Sequence, residues 1–181
     1  RTNLVLLCTL MCVAGCPSAP TTTPDEATDG SDVDEPASDP LVPSEPANRA
    51  AGDELEATIT VAGGGAIQLS SLRGRPVLLE ISASWEPGFA EAHALYAELL
   101  AAHPELAVIV VVADPDDGAL VGLPHDFTPA WDPAGALAAK LSVATFPTMF
   151  VLDRAGRISA VTNGWSDEVR EQLRSAVAAI E

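Results

Sequence analysis

Beyond its first sixteen residues this 181-residue chain has no cysteine: Cys8, Cys12 and Cys16 are the only ones. Residues 17–181 therefore close no internal disulfide, ligate no metal through thiolate and present no catalytic thiol. Bases are scarce too, nine Lys and Arg against 26 Asp and Glu, for a net charge of −17. Such a chain has no electrostatic means of holding nucleic acid or an anionic membrane surface. No apolar run is long enough to cross a bilayer as a helix. A Gly-rich phosphate loop after a strand and a Ser nucleophile elbow are both missing. The three histidines, His93, His103 and His125, are scattered, and Glu91 and His93 stand two positions apart, off a common helix face. Neither a metal site nor a cofactor is expected.

What is present divides by composition. Arg1 leads into the apolar run Leu4–Ala14, the length of a secretory h-region. The first residue is not Met, which reads as a clipped start or an alternative codon. Val13-Ala14-Gly15-Cys16 resembles a bacterial lipobox, which implies a signal peptide over 1–15 and diacylglycerol on the Cys16 sulfur. An ordinary signal peptide that contains cysteines is the other reading. Acyl chains on one residue anchor stably, at about 0.8 kcal/mol per buried CH₂. From Pro17 to Glu56 the chain is rich in Pro, Thr, Ser and acids, eleven acids against Arg49 alone. Such a segment buries too little apolar surface to offset ordering, so residues 16–56 read as a lipidated, disordered tether. Its typical span is roughly 35 Å.

Residues 57–181 alternate strand and helix signals. Ala57–Val61 and Ala66–Ser70 flank Gly63-Gly64-Gly65 as an N-terminal hairpin. Val77–Ala83 is an apolar strand, and Pro87 fits the first position of a helix that runs to about His103. Leu106–Ala113 is a β-branched run of the kind buried on both faces. Asp114–Asp126, with two prolines, two glycines and four acids, leaves room for a loop or a single turn. Asp132 with Pro133 reads as N-cap and N1 of a short helix to Leu141. Thr148–Asp153 and Arg157–Thr162 form a hairpin, and Ser166 caps a last helix with Asp167 and Glu168 in its first turn.

Three blocks carry a family resemblance: LSSLRGRPVLLEISASW, then WEPGF, then FPTMFVLDRAGRI. Together they resemble the TlpA/ResA-like branch of the thioredoxin superfamily, membrane-anchored thiol–disulfide oxidoreductases of the AhpC/TSA-like redoxin group. The resemblance covers roughly Ala57 to Glu181. It implies an α/β, thioredoxin-like fold, with a central mixed β-sheet flanked by helices behind the N-terminal hairpin. It also implies that Trp85, Glu86, Pro87, Gly88 and Phe89 occupy the family's WCPPC active-site turn. Glu86 and Phe89 then stand at the two cysteine positions, so the dithiol is gone. Pro147 matches the family's cis-proline. Glu80, six positions before Glu86, matches a buried acid that moves protons for the second thiol. Burial should raise its pKa unless a partner compensates.

These residues also have plain readings. Glu86 is a helix-start acid worth up to about 1 kcal/mol against the dipole, Phe89 packs inward, and Glu80 is an internal hydrogen bonder. Trp85, Pro87, Phe146 and Trp131 are expected to line an apolar groove around Pro147. The sequence thus points to a monomeric, redox-inactive, lipid-anchored envelope protein, periplasmic on the outer membrane where the cell has one. Its groove would bind an envelope protein or extended peptide segment, without catalysis. An oxidoreductase that works with a thiol-bearing partner is the alternative, and a Glu86/Glu80 acid–base enzyme is a third.

Overall fold

The computed structural model describes Arg49–Ile180. The expected signal peptide, Cys16 and most of the tether lie outside the described residues. The chain divides at Val42/Pro43, and every element below belongs to the second unit.

Ten elements follow in order: β1 Thr58–Thr60, β2 Ala66–Gln68, β3 Val77–Ser82, α1 Phe89–Ala102, β4 Ala107–Val112, β5 Thr128–Trp131, α2 Ala136–Lys140, β6 Thr148–Leu152, β7 Ile158–Asn163 and α3 Asp167–Ala178. The central sheet runs β5-β4-β3-β6-β7. β3 pairs parallel with β4, and β4 with β5, while β6 lies antiparallel to both β3 and β7. This is the expected mixed sheet with helices against it, and β1 and β2 form the expected hairpin.

β3 is buried at all six positions and divides its side chains between two cores. Val77, Leu79 and Ile81 join Leu55, Ile59, Ile109, Phe150 and Leu137 on one face. Leu78 joins the α1 residues Leu95, Tyr96 and Leu99 and the α3 residues Leu173 and Val177 on the other. Each such aliphatic side chain contributes about 1.5–3 kcal/mol of burial. The α1 stripe comes from helical spacing of the apolar residues, and α3 is closed by the Ser166 hydroxyl, which accepts from Val169 N at 3.2 Å.

Four local readings need correction or completion. Packing begins ahead of Ala57: Leu55 is buried in the core, and Gly52 N donates to Ile158 O at 2.8 Å. The sequence pattern gave no sign of β5, which is short and carries Pro129. It is tolerated because β5 is an edge strand, and Pro129 faces outward, accepting from Ala62 N at 2.9 Å. Asp114–Asp126 holds a single 3₁₀ turn, Gly118–Leu120, and no crossover helix. Finally, α2 starts at Ala136 and not at Pro133, with Gly135 (φ 65°) ahead of it. Asp132 still caps it, reaching forward so that Oδ2 accepts from Leu137 N at 2.9 Å and Ala138 N at 3.0 Å.

Candidate functional site

The Trp85–Phe89 turn sits where β3 ends. Its fixed point is Asp114, at the end of β4, whose carboxylate accepts from Ser84 N at 2.9 Å and from Ser84 Oγ at 2.5 Å. Asp114 O also accepts from Trp131 Nε1 at 2.8 Å, so this residue ties together the ends of three strands. Nothing in the sequence pattern marked Asp114 for that task.

Glu86 to Gly88 precede the helix. Phe89 N donates to Glu86 O at 3.3 Å, and Gly88 has φ 88° and ψ 0°. Those angles match the second central position of a type II turn, with Pro87 at the first central position, where proline is favoured. Pro-Gly is the sequence signal for that turn. α1 starts only at Phe89, and the acid in its first turn is Glu91. Glu86 is thus held a full turn upstream, half-buried, so the expected dipole stabilisation of its carboxylate does not apply.

A residue that the sequence left unremarked closes the flank of this turn. Trp165, just after β7, lies so close to Gly88 that an added Cβ would stand 2.1 Å from the indole Cδ1. The Arg170 guanidinium covers the ring at 5.4 Å from its centroid. Gly88 is therefore required twice, once by its left-handed backbone and once by this contact.

Beneath the turn lies a buried polar pair. Glu80 and His93 have side chains 0 % and 8 % exposed, with Nε2 and Oε2 3.0 Å apart. Glu80 Oε1 has no partner among the described residues, nor does the Tyr96 hydroxyl. Burial, and then the Glu80 charge, push the Tyr96 phenol well above its ordinary range. Phe89 meets the His93 ring edge-on at 4.3 Å between centroids, and Phe127 closes the other side at 6.0 Å. His93 was legible in principle: it shares a helix face with Phe89, Ala92 and Tyr96, the face that covers β3. His125 instead pairs with Asp126 at the surface. No group of three metal-ligating side chains occurs among the described residues.

Pro147 is buried, and the Phe146–Pro147 peptide is cis. Its carbonyl accepts from Gly164 N at 2.8 Å, and the Thr148 hydroxyl lies 2.7 Å from Thr145 O and 2.8 Å from Asn163 Oδ1, with its one proton to share between them. Ile81 is paired with Thr148, so two residues further on Ala83 and Phe146 meet at the same end of the sheet. Phe146 packs its ring half into the core, and its amide and carbonyl have no partner among the described residues. Trp85 is 60 % exposed, and Pro87 is exposed beside it in sequence. Trp131 does not join them. It faces a 190 Å³ cleft with Thr58, Thr60 and Lys140, with β4 and β3 standing between its strand and β6. Trp131 is therefore not part of a groove around Pro147, and the indole that stands against the turn is Trp165, at Gly88.

No family model and no curated protein matches the sequence. Solved structures do match the fold. A thiol:disulfide interchange protein DsbE from Chlorobium tepidum is 25% identical with a TM-score of 0.66, over 73% of this chain and 98% of that one. A secreted Mycobacterium tuberculosis disulfide oxidoreductase homologous to Escherichia coli DsbE is 26% identical with a TM-score of 0.55, over 68% and 95%. The exposed lipoprotein thioredoxin Etrx1 of Streptococcus pneumoniae is similar in fold, at 20% identity and a TM-score of 0.56, over 69% and 99%. A β3–turn–α1 unit facing a cis-proline at the head of β6, in a mixed five-stranded sheet, makes this chain a thioredoxin-superfamily protein, similar to DsbE-type thiol:disulfide oxidoreductases.

Proposed function

We propose that the protein is a redox-inactive thioredoxin-like domain, tethered to the cell envelope through lipid on Cys16, that binds an extended segment of an envelope protein at the Phe146 edge. One observation carries this reading. The Phe146 main chain and the Trp85 side chain stay open at the same end of the sheet among the described residues, beside a turn in which the motif resemblance sets Glu86 and Phe89 at the thiol positions. Unpaired main chain at a sheet end takes up an extended peptide by strand addition. An exposed indole beside it adds apolar contact, and Glu86 at the rim favours Lys or Arg in the bound segment. That similar structures include a secreted oxidoreductase and an exposed lipoprotein supports an envelope location.

The likeness to disulfide oxidoreductases favours a second reading, in which a partner supplies the thiols. Insulin reduction with the full chain and dithiothreitol separates the two. The first reading expects no acceleration over dithiothreitol alone, and acceleration overturns it. The Glu86/Glu80 acid–base enzyme is set aside, because Glu80 is fully buried and bound to His93 while Glu86 lies in the turn. For the anchor, Cys16→Ser should move the protein from the membrane to the soluble envelope fraction.

A further inference from the structure

The second surface with unused main chain lies at the opposite face of the β6–β7 hairpin. Pairs in an antiparallel ladder alternate between hydrogen-bonded and open. Gly164 N bonds to Pro147 O, so in the β6–β7 register Thr162 and Ala160 bond to β6, whereas Val161 and Asn163 turn their amides and carbonyls outward. Below them the outward groups of Ile158 are taken: its N donates to Asp53 O and its O accepts from Gly52 N, both at 2.8 Å. The incoming chain then turns aside at Ala50–Asp53, where Asp53 N donates to Ala50 O and Asp53 Oδ2 accepts from Ala50 N. Among the described residues, Val161 and Asn163 are left as the uncovered stretch of this sheet edge.

This stretch borders a cleft of 670 Å³ lined by Ala160, Val161, Thr162, Glu168, Glu171 and Gln172, with Ser175 at its end. Its charge has one sign. Both arginines of α3 are engaged elsewhere, Arg170 over Trp165 and on Asp167, and Arg174 on Glu98 at 3.0 Å. Thr162 is 4% exposed, and its hydroxyl lacks a partner among the described residues although it lines the cleft.

We propose that the outer edge of β7 accepts an extended segment of a partner protein as an added strand, with Lys or Arg side chains of that segment meeting Glu168 and Glu171. Main-chain bonds to Val161 and Asn163 hold the strand, and Ala160 and Val161 receive its apolar side chains. A basic partner fits better than the other occupants. A second copy would bring two pairs of glutamates together on a chain of net charge −17, and the chain's own residues 17–56 carry eleven acids against one Arg. This surface is distinct from the Phe146 edge, so each proposal stands or falls alone.

The test is residue-resolved amide hydrogen exchange on the full chain, with a terminally blocked hexapeptide of alternating Lys and Val as probe. The expected result is slowed exchange at Val161 and Asn163, with none from the Glu/Val counterpart. Glu168→Gln with Glu171→Gln should weaken the effect about fivefold, the scale of losing exposed charge contacts. Val161→Pro removes a donor that β6 does not use, and should abolish protection at Asn163 with the melting temperature little changed. If that variant unfolds, the double glutamine variant decides. Protection confined to Phe146, protection of β7 that depends on protein concentration without peptide, or no protection at all would each overturn the proposal.

Discussion

His93→Leu is the sharpest probe of how the interior under the turn is held. Glu80 has no exposed side-chain surface, and one of its oxygens already lacks a partner. Removing the His93 ring takes away the remaining hydrogen bond, 3.0 Å long, and strands a carboxylate beneath α1. Breaking a buried pair from one side costs about 3–5 kcal/mol, and the apolar leucine recovers part of that. We therefore expect a loss of about 3 kcal/mol, a large share of the roughly 5–15 kcal/mol that holds a domain. With a urea m-value near 2 kcal/mol/M, the midpoint should fall by about 1.5 M. The companion variant Glu80→Met with His93→Leu removes the pair whole and should lie within about 1 kcal/mol of the parent. A single variant losing less than about 1 kcal/mol, or a double variant as weak as the single, would refute the claim that the carboxylate depends on His93.

Gly88→Ala should cost about 2 kcal/mol or more in a thermal or urea melt, from its left-handed backbone and the collision with Trp165. Trp165→Ala in the same chain should recover the second part and leave the first. Tyr96→Phe removes a buried hydroxyl without a partner, so stability near neutral pH should stay within about 1 kcal/mol of the parent or rise. Because the folded phenol is raised, its contribution is complete below pH about 10 and is lost as pH climbs toward the folded value; midpoints at alkaline pH should decline less in Tyr96→Phe. Glu86→Cys with Phe89→Cys should oxidise to a disulfide, since the Glu86–Phe89 turn brings the two Cα atoms within about 7 Å. A thiol-alkylation gel shift reads the outcome, and two free thiols after oxidation would show that the turn opens.

The fold was largely legible because its signals are periodic or chemical: the apolar run of β3, the β-branched run of β4, the Ser166 cap. β5 was not, since a four-residue strand with a proline has too few side chains to set a period. The site divided along the same line. Motif order alone marked the Glu86–Phe89 turn and Pro147, and the structure has a turn at the first and a cis peptide before the second. Asp114, His93 and Trp165 act through partners far along the chain, and no local spacing announces such contacts. Glu80 shows the intermediate case. Its burial followed from its strand, but the pairing that satisfies it depends on the phase of a helix whose start was misplaced by two residues.

Trp165 resting on Gly88 makes positions 88 and 165 a single unit in this chain. In WCPPC relatives the residue aligned with Gly88 is a proline, whose ring begins with the Cβ for which there is no room here. Returning the full motif to residues 86–89 would therefore expel the indole and leave Arg170 without its ring. A proline at position 88 is therefore admissible only together with a smaller residue at 165, which uncovers that flank of the turn. Bulk added on one side of this contact has to be given up on the other, so a change at either position is read correctly only alongside its partner.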